Sequence, residues 1–410
     1  MIKVILKRNR DESLRRFHPW VFSGAIAQIQ GTPAEGDLVA VHDADGKYLA
    51  CGHYQVGSIA VRILSFDEDP QSPSFWKNSL ARAIAAREAV GLCCRAAGPG
   101  RQDGGAQART NCFRLVHGEG DSLPGLIIDW YDGVCVLQAH SVGMFRSKGR
   151  ICEALCELLG GSLKAVYDKS SGTAPFKAGL ELVDGYLYRA EGFGASEAEV
   201  LENGLRFLVN WEEGQKTGFF LDQRDNRALV GRYARGRRVL NLFCYTGGFS
   251  VYAAAGGAVC VDSVDSSAKA VKLLERNLEL NRCGVSSQLG CHCTDAMDFL
   301  AASEEGKYDM MIVDPPAFAK HRGALRNALR AYQRLNASAI SKVAPGGLIF
   351  TFSCSQVVDK VTFANTVFSA AAQTGRSVRI LDRFCQGADH PVSIYHPEGE
   401  YLKGLLLYVE

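Results

Sequence analysis

The 410-residue chain reads as three folded parts: a β-barrel-like module over residues 1–70, a small α+β unit over 75–190, and a doubly wound α/β domain over 196–410. Three observations predict this division. The length exceeds what one hydrophobic core commonly serves. The first seventy residues hold short β-like runs broken by glycines. After about residue 196, short continuous apolar runs alternate with helical stretches.

In order along the chain, Val4 to Leu6, Leu38 to Val41 and Ile59 to Leu64 read as strands, punctuated by Gly31, Gly36, Gly46 and Gly57. The acidic stretch Asp67 to Pro73 reads as a linker. A helix is predicted over Trp76 to Val90, where Leu80, Ile84 and Ala85 share a face, and the Gly/Arg/Gln-rich segment Ala96 to Ala108 reads as a loop. Strands follow at Cys112 to Val116, Gly125 to Trp130 and Val134 to Ala139, then a helix at Lys148 to Leu159 and a strand at Leu163 to Tyr167. In the last part, Val239 to Phe243, Val259 to Val264, Met310 to Val313 and Leu348 to Phe352 have the unbroken apolarity of parallel strands buried on both faces. The clearest helix between them runs from Ser267 to Asn281, with Val271, Leu274 and Leu278 in a stripe.

Composition narrows the class. Hydrophobic residues make up 47% and charged residues 22%, the balance of a globular protein rather than a disordered or membrane-embedded one. No stretch approaches the roughly 18 apolar residues of a spanning helix, and MIKVILKRNR turns charged too early for a signal peptide, so no membrane partner and a cytoplasmic location are expected. The fourteen cysteines show no CxxC spacing, which favours reduced thiols. Cys291-His292-Cys293 places neighbours on opposite faces of a strand, so no metal is expected there or elsewhere. The net charge of +2 is small, yet Lys3, Lys7, Arg8, Arg10, Arg15 and Arg16 crowd the start against Asp11 and Glu12. That edge suits a polyanion and equally suits a solvated face.

In open α/β sheets, ligands bind outside the carboxyl ends of the strands. The first such end reads NLFCYTGGF, where Phe243, Tyr245 and Thr246 precede Gly247 and Gly248, glycines that let a ligand approach the backbone. The second ends at Asp265-Ser266, whose carboxylate suits the ribose hydroxyls of an adenosine and also precedes a helix, as an N-cap would. The third is followed by Asp295-Ala296, placed to meet an adenine amino group. With neither a complete G-x-G-x-x-G turn nor a phosphate-binding loop, the pattern favours S-adenosylmethionine over a dinucleotide.

The fourth strand runs into Val313-Asp314-Pro315-Pro316-Ala317-Phe318-Ala319-Lys320 and the fifth into Ser353-Cys354-Ser355. Enzymes that methylate exocyclic nitrogens place an aromatic ring after the two prolines. Here that position is Ala317, and Phe318 is an imperfect substitute. A thiol suits methylation of a pyrimidine carbon instead: adding to C6, it makes C5 nucleophilic, while an acid at Asp314 hydrogen-bonds or protonates N3. A cysteine in a cysteine-rich chain is also often a small buried hydrophobe.

These motifs, together with HPWVFSG at His18–Gly24, GEGDSLPGLIID at Gly118–Asp129, KTGFFLDQR at Lys216–Arg224, ADHP at Ala388–Pro391 and PEGEYLKG at Pro397–Gly404, resemble the RlmI-type 23S rRNA (cytosine-C5) methyltransferases along nearly the whole chain. The resemblance implies an N-terminal PUA domain, a small central domain and a Rossmann-like class I methyltransferase domain, with 23S ribosomal RNA as partner. It implies Cys354 as the catalytic thiol and, by looser analogy, Glu398 as the base for the C5 proton. It implies Thr217, Phe219 and Gln223 in the donor pocket, and Lys7, Arg8, Arg10, Arg15, Arg16, Lys216, Arg224 and Lys320 as RNA contacts. His18 and Trp20 are candidates to stack on bases, with a core position the favoured alternative for Trp20. A guanine N-methyltransferase and a non-catalytic RNA-binding assembly factor stand as the alternatives, and the sequence is compatible with a homodimer.

Overall fold

A computed structural model describes residues 1–94, 110–175, 179–282, 286–319 and 321–410. The glycine-rich Ala96 to Ala108 segment and Lys320 lie outside the described residues. The chain forms two compact units. The first comprises Met1–Val200, Val209–Leu221 and Ala388–Gly399; the second comprises Leu201–Leu208, Asp222–Gly387 and Glu400–Glu410.

The first unit holds two sheets. Strands β1 (Ile2–Leu6), β2 (Trp20–Phe22), β3 (Ile26–Gln30), β4 (Leu38–His42), β5 (Tyr48–Tyr54) and β6 (Ile59–Ser65) form a six-stranded sheet in the order β2-β6-β5-β4-β1-β3, with the short helix α1 (Glu12–Arg15) after β1. Val4, Leu6, Val21, Val39, Val41 and Val61 make its core. The short β-like runs that predict three of these strands thus contribute to one apolar cluster.

Helix α2 (Phe75–Ala89) leads to a five-stranded sheet of β7 (Cys112–His117), β8 (Leu126–Tyr131), β9 (Val134–Ala139), β10 (Ala165–Asp168) and β11 (Gly185–Arg189), in the order β11-β10-β9-β8-β7. Helix α3 (Val142–Leu159) begins at Val142 rather than at Lys148, because Ser141 accepts a hydrogen bond from the Met144 amide and caps it there. Buried residues of α2, α3 and the sheet share one core.

The segment Ala388–Gly399 belongs to this unit despite its place near the chain end. Arg87, 1% exposed, forks onto Asp121 and also donates to the Asp389 carbonyl at 2.8 Å, while the Arg114 amide donates to the Asp389 carboxylate at 3.0 Å. A side chain at Gly120 would strike the Pro391 carbonyl at 1.9 Å, so the approach requires glycine.

Strands β12 (Glu197–Glu202) and β13 (Leu205–Asn210) form a two-stranded sheet. In the second unit, helix α4 (Arg224–Tyr233) precedes β14 (Arg238–Leu242), α5 (Gly248–Ala255), β15 (Cys260–Asp265), α6 (Ala268–Leu280), β16 (Gln288–Cys293), α7 (Ala296–Ala302), β17 (Met310–Val313), α8 (Leu325–Lys342), β18 (Gly347–Ser353), α9 (Lys360–Thr374), β19 (Val378–Phe384) and β20 (Lys403–Val409). The sheet order is β16-β15-β14-β17-β18-β20-β19. β14 to β18 run parallel, and β20 is antiparallel to both neighbours.

The continuous apolar runs have a direct cause. Along β17, Met310 and Ile312 enter one core cluster with Val230, Phe249 and Phe350, whereas Met311 and Val313 enter another with Tyr332, Ile349 and Phe363. Successive side chains serve opposite faces, and both faces are covered by helices.

Candidate functional site

The order places the topological switch between β14 and β17. The carboxyl edge of the parallel strands therefore carries the 243–248 turn, Asp265, Asp295, Asp314 and Cys354 together. The sequence-predicted ends of five strands meet along one rim.

The turn after β14 is conformationally demanding. Phe243 and Tyr245 adopt left-handed φ values of 59° and 49°, unusual for large side chains, and Gly247 follows at 82°. The Tyr245 amide donates to Asp265 Oδ2 at 2.9 Å, and Asp265 Oδ1 accepts from the Ser267 amide at 2.9 Å. The cap of α6 is Ser267, which accepts from the Ala270 amide, so Asp265 orders the turn rather than capping the helix. The two glycines also serve packing. A Cβ at Gly247 would meet Leu274 at 2.2 Å and one at Gly248 would meet Arg227 at 2.9 Å. Nearby, Asp295 Oδ1 accepts from the Met297 and Asp298 amides and caps α7, with Ala296 buried behind it and Ser266 exposed beside it.

The fit to S-adenosylmethionine rests on this donor set. Asp265 and Asp295 are carboxylates suited to hydroxyl and amino donors, and the Thr246 hydroxyl is buried in the turn with no hydrogen-bond partner among the described residues. Acidic ends at β15 and after β16 suit a nucleoside with a cationic sulfonium better than a pyrophosphate.

Asp314 is half-buried at the end of β17. Gln223 Nε2 donates to its Oδ2 at 3.0 Å, while Gln223 Oε1 accepts from Asn226 at 2.7 Å. Burial, then the charge of Asp222, push the Asp314 carboxyl up to about 7, against the Gln223 hydrogen bond and the Arg227 charge. Asp222 itself accepts from the Tyr401 hydroxyl at 2.6 Å. Arg227 is held bidentate by Glu202, at 2.8 and 2.6 Å.

Cys354 follows β18 and is half-buried, not sunk in the core. Its flanking serines explain the motif. Ser353 donates to the Tyr332 hydroxyl at 3.0 Å, and the Ser355 hydroxyl lies 3.1 Å from the same oxygen. Both serines are thereby tied inward to α8, fixing the backbone that carries the thiol between them. Lys403, unassigned by sequence reasoning though it sits inside the YLKG motif, donates to the Ser355 carbonyl at 2.6 Å. Phe318 lies in the apolar cluster, 4.7 Å from the Tyr332 ring, which gives it a packing role.

The remaining predicted residues belong to the first unit or are buried in the second. Thr217 and Phe219 are buried in the first unit, where the Thr217 hydroxyl donates to Asp129 at 2.5 Å and lies 3.0 Å from the Tyr131 hydroxyl. Lys216 is exposed there with a φ of 55°. Arg224, in the second unit, is 5% exposed and pairs with Asp225, so it presents little surface to a phosphate.

The basic edge is more neutralised than its sequence suggests. Arg8 pairs with Asp45, Arg15 with Asp11 and Asp43, and Arg16 with Glu12; Lys7 donates to the Gly24 carbonyl, and Arg10 is exposed. Asp43 and Asp45 reach this edge only through the sheet, which adjacency in sequence does not reveal.

Trp20 is half-buried: its Nε1 donates to Glu119 at 2.9 Å, and the His396 ring lies 4.3 Å away. Glu398 is largely exposed, with its carboxylate 3.9 Å from His396 Nε2. In the 291–293 run, His292 bonds Asp262 at 2.9 Å.

The model of an S-adenosylmethionine-dependent methyltransferase family matches residues 113–394, and that of a PUA-like domain matches residues 4–66. The chain is 38% identical over 418 residues to the ribosomal RNA large subunit methyltransferase I of Pseudoalteromonas translucida, covering 99% of both chains. It is 39% identical to that of Alteromonas mediterranea, covering 99% of this chain and 98% of the relative. Among solved structures, SMU.776, described as a methyltransferase complexed with SAH, superposes over the whole of both chains with a TM-score of 0.82 at 21% identity, a likeness of fold.

Proposed function

Because this chain belongs to the S-adenosylmethionine-dependent methyltransferase family, we propose that it methylates C5 of a cytosine in 23S ribosomal RNA through a covalent adduct at Cys354. The observation that carries the reading is the pairing, on one sheet edge, of a half-buried thiol after β18 with a carboxyl after β17 whose pKa lies at about 7.

Bound S-adenosylmethionine supplies an electrophilic methyl group, and Phe243, Tyr245, Thr246, Gly247, Gly248, Asp265, Ser266, Asp295 and Ala296 are the residues proposed to hold it. The chemistry of the chain itself concerns the pyrimidine. Cys354 as thiolate adds to C6, forming a C–S bond while charge moves toward N3. Asp314, protonated in a substantial fraction near neutral pH, donates to N3 as that charge develops. C5 is then nucleophilic; after it gains the methyl group, loss of its proton, expulsion of the thiolate and return of the N3 proton to Asp314 restore the ring. Glu398 is proposed as the base for that proton. Lys216, Lys7, Arg8, Arg10, Arg15 and Arg16 are proposed phosphate contacts. A cytoplasmic location accords with this reading, and among the described residues no helix is long and apolar enough to cross a membrane.

The test is incubation with unmodified 23S rRNA and labelled S-adenosylmethionine, followed by nucleoside mass spectrometry. 5-Methylcytidine that vanishes in Cys354→Ala supports the reading; methylguanosine, or turnover that survives the substitution, overturns it.

A further inference from the structure

The thiol mechanism requires a thiolate, yet a half-buried sulfur at a strand end is not ionised at neutral pH without help, since burial favours the neutral thiol. A cation near the sulfur is the ordinary remedy. The second unit carries one within a residue of Cys354 in both directions.

In the antiparallel pairing of β18 with β20, Lys403 stands directly opposite Ser353, the residue before Cys354. Its Nζ donates to the carbonyl of Ser355, the residue after Cys354, at 2.6 Å. Lys403 is 5% exposed, so its ammonium is enclosed at the turn that presents the thiol. An enclosed ammonium with one backbone acceptor is costly to keep unless anionic charge lies close by. We infer that Lys403 is the positioning cation that holds Cys354 as its thiolate.

The surrounding charges agree with that assignment. Burial draws the Lys403 ammonium down to about 8, so it is still protonated at neutral pH, and Cys354, Asp359 and Glu400 act in the opposite direction while Lys360 opposes them. Lys360 is itself paired with Glu400 at 2.5 Å. The Tyr332 hydroxyl, shared by the two serines, is pushed up chiefly by burial and stays neutral. In the step inferred here the thiol proton passes to water, Lys403 keeps its own proton, and the sulfur lone pair becomes available for C6.

The inference rests on the thiol reading above, and its alkylation readout needs neither RNA nor methyl transfer. The full-length protein is treated with iodoacetamide across pH 6 to 10, and alkylation of the peptide containing Cys354 is followed by mass spectrometry. Lys403→Gln, which retains a donor for the Ser355 carbonyl, is expected to slow alkylation at pH 7 about tenfold and to move the profile up by about one unit, the ratio that one unit of thiol pKa produces. Lys403→Arg is expected to restore the wild-type profile. A wild-type profile in Lys403→Gln overturns the inference, and so does a slowing that Lys403→Arg shares in full. Unchanged binding of S-adenosylmethionine in calorimetry confirms that each variant is folded; should Lys403→Gln fail that control, Lys403→Met is read instead. A normal shift in alkylation with no 5-methylcytidine formed by the wild type would sink the cytosine reading alone.

Discussion

Gln223 Nε2 lies 3.0 Å from Asp314 Oδ2 and donates to it, the hydrogen bond that keeps a desolvated carboxyl from rising further than about 7. The Asp314 proton is bound more tightly in the folded chain than in the unfolded one, so its contribution to stability is full at low pH and is lost as pH rises through about 7. Asp314→Asn has no such proton to lose. Its melting temperature relative to wild type should therefore rise between pH 6 and pH 8.5, by an amount corresponding to about 1 kcal/mol once partial exposure is allowed for. Parallel melting curves that keep a constant offset across that range would remove Asp314 from the role of acid.

Gly247 combines a φ of 82° with a Cβ direction that ends 2.2 Å from Leu274. Gly247→Ala should cost about 1–3 kcal/mol in denaturant unfolding, from both strain and overpacking. Adding Leu274→Ala relieves only the overpacking, so the double variant should lose less than the sum of the two singles. Simple additivity would show that the glycine serves the backbone angle alone.

A fluorine at C5 cannot leave as a proton. RNA carrying 5-fluorocytidine at the target should therefore trap the C–S bond, and a denaturing gel should retain a protein–RNA band that requires both S-adenosylmethionine and Cys354. A band that persists in Cys354→Ala would assign the adduct to another of the fourteen cysteines.

On the basic edge, ion pairing divides cations that sequence treats alike. Arg15 and Arg16 face carboxylates, whereas Lys7 donates to a carbonyl and Arg10 is exposed. Lys7→Gln with Arg10→Gln should lower the slope of log binding constant against log salt by about 1–2 for single-stranded or duplex RNA, and Arg15→Gln with Arg16→Gln should lower it less. The reverse order, read from fluorescence anisotropy at several salt concentrations, would place the RNA elsewhere.

The α/β domain was legible because its signal is local. Met310 to Val313 is apolar at every position since each residue faces a helix-covered core, and Asp265 and Asp314 fall where strands must end. Relationships made by strand pairing were not. Lys403 comes 49 residues after Cys354 and is brought to it by antiparallel pairing, an interaction no spacing rule anticipates. Asp43 and Asp45 likewise reach Arg15 and Arg8 through the first sheet. The six additional residues at the start of α3 were missed because Gly143 and Gly149 weaken its helical pattern, while the Ser141 cap supplies the start.

The placement of Ala388–Gly399 in the first unit, between β19 and β20 of the second, bears on synthesis. The buried guanidinium of Arg87 and the main-chain amide of Arg114 emerge from the ribosome long before Asp389, which must answer both. The large sheet waits equally for β20, its last strand. Neither half can reach its final form while translation is under way, so a nascent chain stalled before residue 388 would carry two unfinished bodies rather than one native and one missing, making late arrest a hazard for both at once.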